Sequence, residues 1–463
     1  MKRLSNIGKI FILTSLAGIG IILIAIFIFF ILPGKEVPPT IVRSQSNVIQ
    51  EQEMLEKNLL ADYASGQYTL QNPYVVQDPY GNSPLTALVI FETPAASRVS
   101  VLVKGKDKFS ELLYQLEGTP THHEVPIIGL YAGVANEVEL TVIDEGGSPT
   151  TKKLLLQTEP LPDNLPARTV IVSHPEKMEP GWTLVNTETY KFILDGNGDV
   201  RWFLRFPSNN ILRVLPSGNL LVAYVPTPPY TPGDPPDKLV ETNLLGKFSA
   251  VYFTPSIHHD VIPYENSYLS TVAETIYQFD PHRGIQVGQA LSLWEFFPAN
   301  RVYDYIDDPK SLHINALVTG GDLGDDILIS ARNQHALALI NYPERKLKWV
   351  MGVPAGWPDE YHPYLLKPIG DGFEWFWMQH APQVLPDLDG DATTLDILVF
   401  DNGTFRDFTA DLPNEKKYSR MVHYRIHQRE LTVEQIWEYG KERGHELFSS
   451  IKSNAVYLKQ TGN

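Results

Sequence analysis

The chain has 463 residues, no cysteine and a formal net charge of −16 at pH 7. Because one ordinary domain has roughly 100–200 residues, this length predicts several folded units or one large repeat architecture. A sequence without cysteine excludes disulfides, thiolate metal sites and a cysteine nucleophile, and the excess of 54 acidic over 38 basic residues argues against nucleic-acid binding. The 36 prolines and 32 glycines favour many short strands joined by turns.

The amino-terminal residues predict a membrane anchor. Residues 11–32 are an uncharged, apolar run, and a helix of this length, rising about 1.5 Å per residue, spans a hydrocarbon core of about 30 Å. The tail 1–10 carries basic residues, which places the amino terminus in the cytoplasm. A cleaved signal peptide is the alternative, but the run exceeds the usual apolar region and lacks a small-residue cleavage site. We therefore predict a single-pass protein of the cell membrane whose folded part is extracytoplasmic.

Two further units are predicted before residue 163. Residues 33–68 form a polar linker or stalk, in which residues 48–63 have the spacing of a short amphipathic helix, although a solvated linker fits as well. Within residues 69–162, strand signals bounded by turn residues cover 86–93, 98–105, 125–133, 137–147 and 152–162. This pattern predicts a β-sandwich. The adjacent His122 and His123 point to opposite faces of an extended chain, which favours surface or packing roles over metal binding.

Residues 163–463 contain a loose internal repeat. Hairpin patterns begin near residues 210, 259, 313, 380 and 453, and the second half of the repeat ends in a tryptophan at positions 202, 294, 349 and 437. Two hairpins make a four-stranded unit, and about 300 residues at about 50 per unit give six units. The sequence therefore predicts a mainly β protein whose second domain is a six-bladed β-propeller. Because the last repeat stops at its turn, we expect a truncated last blade or a ring completed by strands near residue 170.

Three of these repeats open with a histidine at the same position. They are His259, His313 and His380, and we expect their side chains to converge because equivalent positions of innermost strands face the channel of a propeller. Three imidazoles are also the ligands of some catalytic zinc sites. Asn315 and Arg332 accompany the same strands, and a guanidinium suits an oxyanion but not a neighbouring cation. We therefore predict a site for an anionic group, with neither metal nor cofactor.

The same residues lie in motifs that carry a family resemblance. These motifs are NPYVVQDPYGNSPLTALVIF (72–91), HHDVIPYENSYL (258–269), LHINAL (312–317), ISARNQHALALI (329–340), QHAPQVLP (379–386) and DILVFDNG (396–403). Across residues 72–463 the chain resembles the bacterial arylsulfate sulfotransferases, which are exported enzymes with an amino-terminal β-sandwich and a six-bladed propeller. The resemblance rests on the combination of motifs rather than on any one of them.

The resemblance implies that a sulfuryl group passes from an aryl sulfate ester to a phenol. It implies a ping-pong route through a sulfohistidine, without a nucleotide sulfate donor. His380 matches the nucleophile of the family, His313 and Asn315 match its partner motif, Arg332 matches its arginine, and His259 aligns with its remaining histidine. We therefore predict Arg332 and Asn315 as donors to the sulfuryl oxygens, and His313 or His259 as the acid that protonates the leaving phenolate.

Some positions depart from the family pattern or stay open. His258 is the alternative histidine of the HHD motif. Ala381 and Pro382 stand where the resemblance leads us to expect an acidic residue, so the group that orients the nucleophile is open. Lys441 and Lys452 are the two candidates for a late basic residue of the site.

Two other classes of function stay open. The missing acidic residue fits a non-catalytic propeller that serves as a binding module, and the three histidines fit a metal-dependent hydrolase of sulfate or phosphate esters. The expected partners are a small aryl sulfate donor, a phenolic acceptor and the membrane, while a homodimer is left open. Residues 387–396 resemble a calcium-binding loop, but their glycine lies too early, so we predict a hairpin tip there.

Overall fold

The protein is described by a computed structural model. The described residues are 42–43, 47–187, 190–206, 212–223, 238–253, 257, 259–280, 283, 285–299, 301, 306 and 310–462. The predicted anchor at 11–32 and the alternative site residue His258 lie outside them. Within these ranges, no helix is both long enough and apolar enough to cross a bilayer.

The described chain opens with strand β1 (Val42–Arg43) and helix α1 (Asn47–Ala64). Helix α1 confirms the helix predicted at 48–63. It is packed on the rest of the protein, because Leu59 is buried in an apolar cluster with Leu88 and Gln52 donates a hydrogen bond to the carbonyl of Tyr80 at 3.3 Å. This segment is therefore part of the folded unit rather than a free-standing stalk.

Seven strands then form the first β-sheet region. They are β2 (Tyr74–Gln77), β3 (Ala87–Glu92), β4 (Ser97–Val103), β5 (Leu112–Gln115), β6 (His122–Ile127), β7 (Ala135–Asp144) and β8 (Pro149–Gln157). They pair in two antiparallel sheets, ordered β2-β3-β6 and β5-β4-β7-β8. Strands β3, β4, β7 and β8 overlap four of the predicted runs. The run predicted at 125–133 is displaced, because β6 ends at Ile127, and β2 and β5 are additional.

The two sheets share one apolar core, which confirms the predicted β-sandwich. Alternate residues of β4 (Val99, Val101 and Val103) are buried against the strands of the other sheet, and each such side chain contributes roughly 1.5–3 kcal/mol. The neighbouring histidines of β6 face opposite sides, as expected from an extended chain. His123 is buried and stacks on a core phenylalanine, whereas His122 is exposed and pairs with Glu92 at 2.7 Å.

Twenty further strands follow between residues 183 and 439. They are β9 (Thr183–Asn186), β10 (Lys191–Leu194), β11 (Val200–Phe203), β12 (Leu212–Val214), β13 (Leu220–Ala223), β14 (Lys238–Thr242), β15 (Phe248–Phe253), β16 (Val261–Tyr264), β17 (Ser267–Val272), β18 (Thr275–Asp280), β19 (Ile285–Ser292), β20 (Ile314–Val318), β21 (Asp326–Ala331), β22 (Ala336–Asn341), β23 (Lys346–Gly352), β24 (Lys367–Ile369), β25 (His380–Val384), β26 (Thr394–Asp401), β27 (Arg420–His427) and β28 (Thr432–Tyr439). Short 3₁₀ helices occupy Pro175–Lys177, Leu293–Glu295, Gly321–Leu323, Arg332–Gln334, Asp359–Tyr364, Arg406–Phe408, Asn414–Lys416 and Lys441–Leu447.

These strands form successive antiparallel meanders, as the repeat predicted. The sheets are β9–β11, β12–β15, β16–β19, β20–β23 and β25–β28, with β1 added to the edge of the second and β24 to the edge of the last. Of the repeat tryptophans, Trp202 and Trp349 are buried in the sheet cores, which agrees with a packing role. Trp437 is half exposed on β28, so its position in the repeat does not imply burial.

The count of sheets differs from the sequence prediction. The described residues of this region form five sheets, and residues 453–462, which were expected to begin a sixth, contain no strand. Instead, Ala455 and Tyr457 pack in an apolar cluster with Leu385, and the backbone N–H groups of Gln460 and Thr461 donate to a carboxylate oxygen of Glu179. A closed ring of six blades is not established by these strands.

The acidic segment 387–396 covers the turn between β25 and β26, as predicted, and the first residues of β26. Its carboxylates accept hydrogen bonds within the turn, where the Asp387 Oδ1 atom receives the N–H groups of Asp389 and Gly390 at 3.2 and 2.7 Å. The carboxylate of Asp396 receives Arg425 at 3.0 Å. The turn and the strand pair therefore use these carboxylates internally.

Candidate active site

The three predicted histidines lie at the start of the first strand of three successive sheets. His259 precedes β16, His313 precedes β20 and His380 is the first residue of β25. The ring centroids of His259 and His313 are 5.0 Å apart, and those of His259 and His380 are 6.5 Å apart. The structure therefore brings together the three histidines that the sequence repeat aligned.

The local backbone is unusual at each of these positions. His259 and His313 have φ values of 67° and 49°, a left-handed conformation that is uncommon outside glycine and clusters at functional sites. The register of β20 with β21 is interrupted after Ile314, and that of β25 with β26 is interrupted after His380. Such bulges redirect side chains beside active sites, so both strands enter the site through an irregular segment.

The irregular segment of β25 coincides with the departure from the family pattern. It contains Ala381, whose φ is 46°, and Pro382. The partner of the His380 ring comes from elsewhere in the chain, because Asn402 directly follows the end of the neighbouring strand β26. Sequence reasoning missed Asn402, and the only signal for it was its place in the DNG part of a family motif.

Hydrogen bonds define the protonation of the two ring nitrogens of His380. The Nδ1 atom lies 2.6 Å from Oδ1 of Asn402 and 3.2 Å from the carbonyl oxygen of Met378. Both neighbours are acceptors, so Nδ1 carries the proton. The Nε2 atom accepts the backbone N–H of Lys452 at 3.3 Å, which requires a lone pair on Nε2. The neutral ring is therefore the Nδ1–H tautomer.

The surroundings of His380 keep the ring uncharged. Only 6% of the residue is exposed, and burial lowers its pKa to about 4, with further lowering from the positive charges of Arg332 and Lys452. The hydrogen bonds to Asn402 and Met378 act in the opposite direction and are outweighed. At neutral pH, His380 thus has an unprotonated Nε2 atom in a positively charged neighbourhood.

His259 and His313 contact each other directly. Their Nε2 atoms are 3.0 Å apart, so one nitrogen donates a proton and the other accepts it. Both residues are half-buried. Among the described residues, no three His, Cys, Asp or Glu side chains are grouped as ligands of one metal ion.

Arg332 leaves β21 at the turn that leads to β22. Its Nη1 atom donates to Oδ1 of Asn333 at 3.1 Å, and Asn333 is itself held by a hydrogen bond to the carbonyl of Ser311. The same turn contains His335, which is fully buried and accepts the backbone N–H of Met378 through Nδ1 at 3.2 Å. Burial, together with nearby guanidinium charges, holds the pKa of His335 well below its usual value. His335 was not singled out by the sequence.

Asn315 contacts the backbone next to His380 rather than its imidazole ring. Its Nδ2 atom donates to the carbonyl oxygen of Gln379, the residue before His380, at 2.7 Å. Gln379 is fully buried and donates to Ser330 and to the carbonyl of Ala336. One N–H of Asn315 is thus used to fix the entry to β25.

Of the two late lysines, Lys452 lies at the site. Its backbone N–H contacts Nε2 of His380, and its charge lowers the pKa of that ring. Lys441 forms an ion pair with Glu374 instead. The segment that carries Lys452 is tied to the sheet by Asn402, whose Nδ2 atom donates to the carbonyls of Ser449 and Lys452 at 2.8 and 3.0 Å.

A buried lysine lies within electrostatic reach of Lys452. Lys191, on β10, is fully buried, and its Nζ atom donates to the carbonyl of Thr187 at 2.8 Å. Burial, followed by the charge of Lys452, lowers the pKa of Lys191 to about 7. Sequence reasoning missed Lys191, because a lysine within a predicted strand gives no sign that its side chain will be buried near another lysine.

The protein is thus built from β-sheets, and it has a buried imidazole surrounded by other histidines and by positively charged side chains. Such a site is suited to an anionic group. The sequence model of the arylsulfotransferase (ASST) family matches residues 167–289 and 311–463, and that of the arylsulfotransferase Ig-like domain matches residues 74–159. The chain therefore belongs to the arylsulfotransferase family and is a sulfotransferase enzyme.

Two relatives agree with this family over most of their length. The arylsulfate sulfotransferase AssT of Escherichia coli O6:H1 (strain CFT073) is 24% identical and is aligned over 83% of this chain and 82% of its own. The arylsulfate sulfotransferase AssT of Lelliottia amnigena is 23% identical, with 83% of each chain covered.

Solved structures are similar only at a low level. AztD of Citrobacter koseri has 12% identity and a TM-score of 0.29, with 74% of this chain and 81% of AztD covered. Hsv2 of Kluyveromyces lactis has 7% identity and a TM-score of 0.29, with 56% and 95% covered. Scores this low support no statement about the fold or function of this chain.

Proposed function

We propose that the protein transfers a sulfuryl group from a phenolic sulfate ester to a phenol through a sulfohistidine at His380, without a nucleotide sulfate donor. The observation that carries the proposal is the state of His380, a neutral Nδ1–H imidazole whose Nε2 lone pair lies among positive charges. Neutral imidazole is a good nitrogen nucleophile, and the positive charges attract an anionic ester while disfavouring protonation of the nucleophile.

The first half-reaction forms the N–S bond. The Nε2 lone pair of His380 attacks sulfur, the S–O bond to the aryl group breaks, and the phenolate takes a proton from the His259–His313 pair, which begins this step with one proton more than two neutral imidazoles carry. The backbone N–H of Lys452, which contacts Nε2 in the resting structure, gives way to the sulfuryl group. Because a phenol has a pKa of about 10, phenolate is a better leaving group than an alkoxide, which favours aryl donors.

The second half-reaction reverses these steps with a different phenol. The incoming phenol gives its proton to the His259–His313 pair, its oxygen attacks sulfur, and the N–S bond breaks to restore the lone pair on Nε2. One pair of histidines thus serves as acid and then as base, as a ping-pong reaction requires.

The sulfuryl oxygens need positive or N–H donors, because charge accumulates on peripheral oxygens in a loose transition state. Arg332 and Lys452 supply positive charge beside His380, and Asn315 supplies its second N–H. The guanidinium of Arg332 is anchored through Asn333, which limits its movement when the substrate binds.

The test is direct detection of the intermediate. Purified protein is incubated with 4-nitrophenyl sulfate alone, quenched and digested, and the peptides are searched by mass spectrometry for one added SO₃ group on His380. Addition of phenol should discharge the modified protein and produce phenyl sulfate. The variant His380→Gln should show neither event. His427→Gln changes the last residue of β27, whose ring pairs with Glu434, and should behave as the unmodified protein.

Two outcomes would contradict the proposal. The first is the absence of any transfer from an aryl sulfate to a phenol by the unmodified protein, which would favour a binding module. The second is activity that survives His380→Gln and disappears with a chelator, which would favour a metal-dependent hydrolase.

We further propose that residues 11–32 anchor the protein in the cell membrane with its sheets outside the cytoplasm, and that these sheets belong to a six-bladed ring. The basic tail and the apolar run support the anchor, and the contacts of residues 460–461 with Glu179 support closure. Protease digestion of intact spheroplasts should remove the sheet domains, and their protection would contradict the orientation. An experimental structure in which the sheets surround no common axis would contradict the ring.

A further inference from the structure

The orientation of the Asn402 amide is determined by its neighbours. Its Nδ2 atom contacts two carbonyl oxygens, of Ser449 and Lys452, at 2.8 and 3.0 Å, and both can only accept hydrogen bonds. The Oδ1 atom must therefore face His380, from whose Nδ1 atom it is separated by 2.6 Å. Asn402 is fully buried, so water does not compete for these contacts.

The group that orients the nucleophile is therefore a neutral oxygen. Catalytic histidines in other enzymes are commonly oriented by a carboxylate, which stabilises the charged ring. The neighbouring carboxylate of Asp401 does not take this role, since it pairs with Arg406 at 3.0 Å and with Arg420 at 2.9 Å.

The other charged and titratable groups around His380 do not neutralise a positive ring. Arg332 and Lys452 both oppose it, and His259 lies with its ring centroid 6.5 Å from that of His380 and contacts His313. His335 reaches the site through the backbone of Met378 and is held uncharged by burial. None of these groups supplies negative charge.

We propose that Asn402 is a positioning residue that holds His380 as the Nδ1–H tautomer and, because its oxygen carries no charge, keeps the sulfohistidine reactive. This inference rests on the proposed function. When Nε2 bonds to sulfur, its lone pair becomes the N–S bond while Nδ1 keeps its proton, so the ring becomes positive. An aspartate would stabilise that charge, whereas Asn402 only accepts the Nδ1–H bond. When the second phenol attacks, the N–S electron pair returns to Nε2 and the positive charge disappears.

The matched substitutions are Asn402→Asp and Asn402→Ala. An aspartate places a negative charge against Nδ1, which raises the pKa of an adjacent imidazole by about 1–3 units. The rate of sulfo-enzyme formation from 4-nitrophenyl sulfate falls at low pH, and this fall is the acid limb of its pH profile. In Asn402→Asp, the acid limb should move upward by about one pH unit or more. The sulfo-enzyme should also discharge to phenol about tenfold more slowly or worse. Both substitutions remove the hydrogen bonds to Ser449 and Lys452, so Asn402→Ala controls for loosening of that segment. It should slow sulfo-enzyme formation, because the Nδ1–H tautomer is no longer held, but it should neither move the acid limb upward nor lengthen the life of the sulfo-enzyme.

The results separate the possible outcomes. An unchanged acid limb in Asn402→Asp, or an equally long-lived sulfo-enzyme in both variants, would overturn the proposed role. Thermal unfolding of both variants identifies a loss of fold.

A measurement on the unmodified protein does not depend on any variant or on turnover. In ¹⁵N-histidine-labelled protein, the His380 signals, assigned by their loss in His380→Gln, should show a protonated Nδ1 and an unprotonated Nε2 at pH 7. The opposite tautomer would overturn the role of Asn402 even if sulfuryl transfer were confirmed. The expected tautomer in a protein without transfer activity would place the failure in the proposed function instead.

Discussion

The Nε2 atoms of His259 and His313 lie 3.0 Å apart and share one hydrogen bond. These residues belong to the starts of two different sheets, β16–β19 and β20–β23, so the contact is a product of the tertiary structure. Two neutral imidazoles carry one N–H each, so the pair can give up a proton only when it holds one more than that. A leaving phenolate needs a proton, and an incoming phenol must lose one, so the pair suits both halves of the proposed reaction.

We predict that His259→Asn and His313→Asn slow transfer from poor leaving groups more than from 4-nitrophenyl sulfate. Asparagine is the suitable replacement because it tolerates the positive φ of both positions. Loss of a general acid typically costs about 10²–10⁴-fold, and the cost should grow with the basicity of the phenolate. The measurement is the rate of phenol release across a series of aryl sulfates. An equal loss for all leaving groups would assign these histidines a role in binding only.

We predict that sulfo-enzyme formation from 4-nitrophenyl sulfate is nearly constant from pH 7 to pH 5.5 and falls as the pH passes through about 4. Burial lowers the pKa of His380 to about 4, and only the unprotonated ring is a nucleophile, so the rate follows the unprotonated fraction. Rapid-quench measurement of the first turnover gives this profile. An acid limb near pH 6.5, the ordinary value for histidine, would show that His380 is not in this environment.

We predict that Arg332→Met lowers turnover by about 10²–10³-fold, the usual cost of removing one oxyanion donor. Because the charge of Arg332 also lowers the pKa of His380, the acid limb of the first turnover should move to higher pH in this variant. Arg98→Met, on the exposed face of β4, is the matched control and should leave both quantities unchanged. A loss of turnover without a shift of the acid limb would contradict an effect of the Arg332 charge on the pKa of His380.

We predict that Lys191→Met stabilises the protein at and below pH 7. The pKa of Lys191 is lowered to about 7 in the folded protein, whereas an unfolded lysine has a pKa near 10.4. Between these values the unfolded chain binds more protons, so the unmodified protein gains stability as the pH rises. One unit of lowering corresponds to about 1.4 kcal/mol, so the variant should gain on the order of a few kcal/mol at pH 6 and little at pH 10.5. Urea unfolding at several pH values measures this difference, and a pH-independent effect would contradict it.

We predict that Asp401→Asn destabilises the protein by about 3–5 kcal/mol, the usual cost of breaking a buried ion pair by removing one partner, because Arg406 loses its ion pair while Arg420 keeps those with Glu374 and Glu438. The carboxylate of Asp401 is fully buried with Arg420 and also pairs with Arg406. Its other oxygen accepts the backbone N–H of Trp377 at 2.8 Å, so the substitution should also disturb the approach to His380. Urea unfolding measures the change, with the fully exposed Asp359→Asn as a control. A change below about 1 kcal/mol, typical of surface pairs, would contradict this role.

Much of the architecture follows from local signals in the sequence. Alternating apolar residues at Val99, Val101 and Val103 predict one buried face of a strand, and the structure confirms it. Helix α1 and the antiparallel meanders follow from period and turn residues in the same way. The common position of His259, His313 and His380 in the repeat was sufficient to predict their convergence, because equivalent strands of similar sheets occupy equivalent places.

The tertiary structure decided the features that depend on residues far apart in the chain. Asn402 reaches His380 across 22 positions and Lys452 reaches it across 72, and no periodic pattern connects such partners. The irregular backbone at Ala381 also breaks the alternation on which strand predictions depend. The sequence by itself therefore determined the family, the strand pattern and the histidines. Only the fold decided which tautomer His380 adopts, which lysine lies beside it and how far burial lowers its pKa, because these properties arise from burial and from contacts between distant segments.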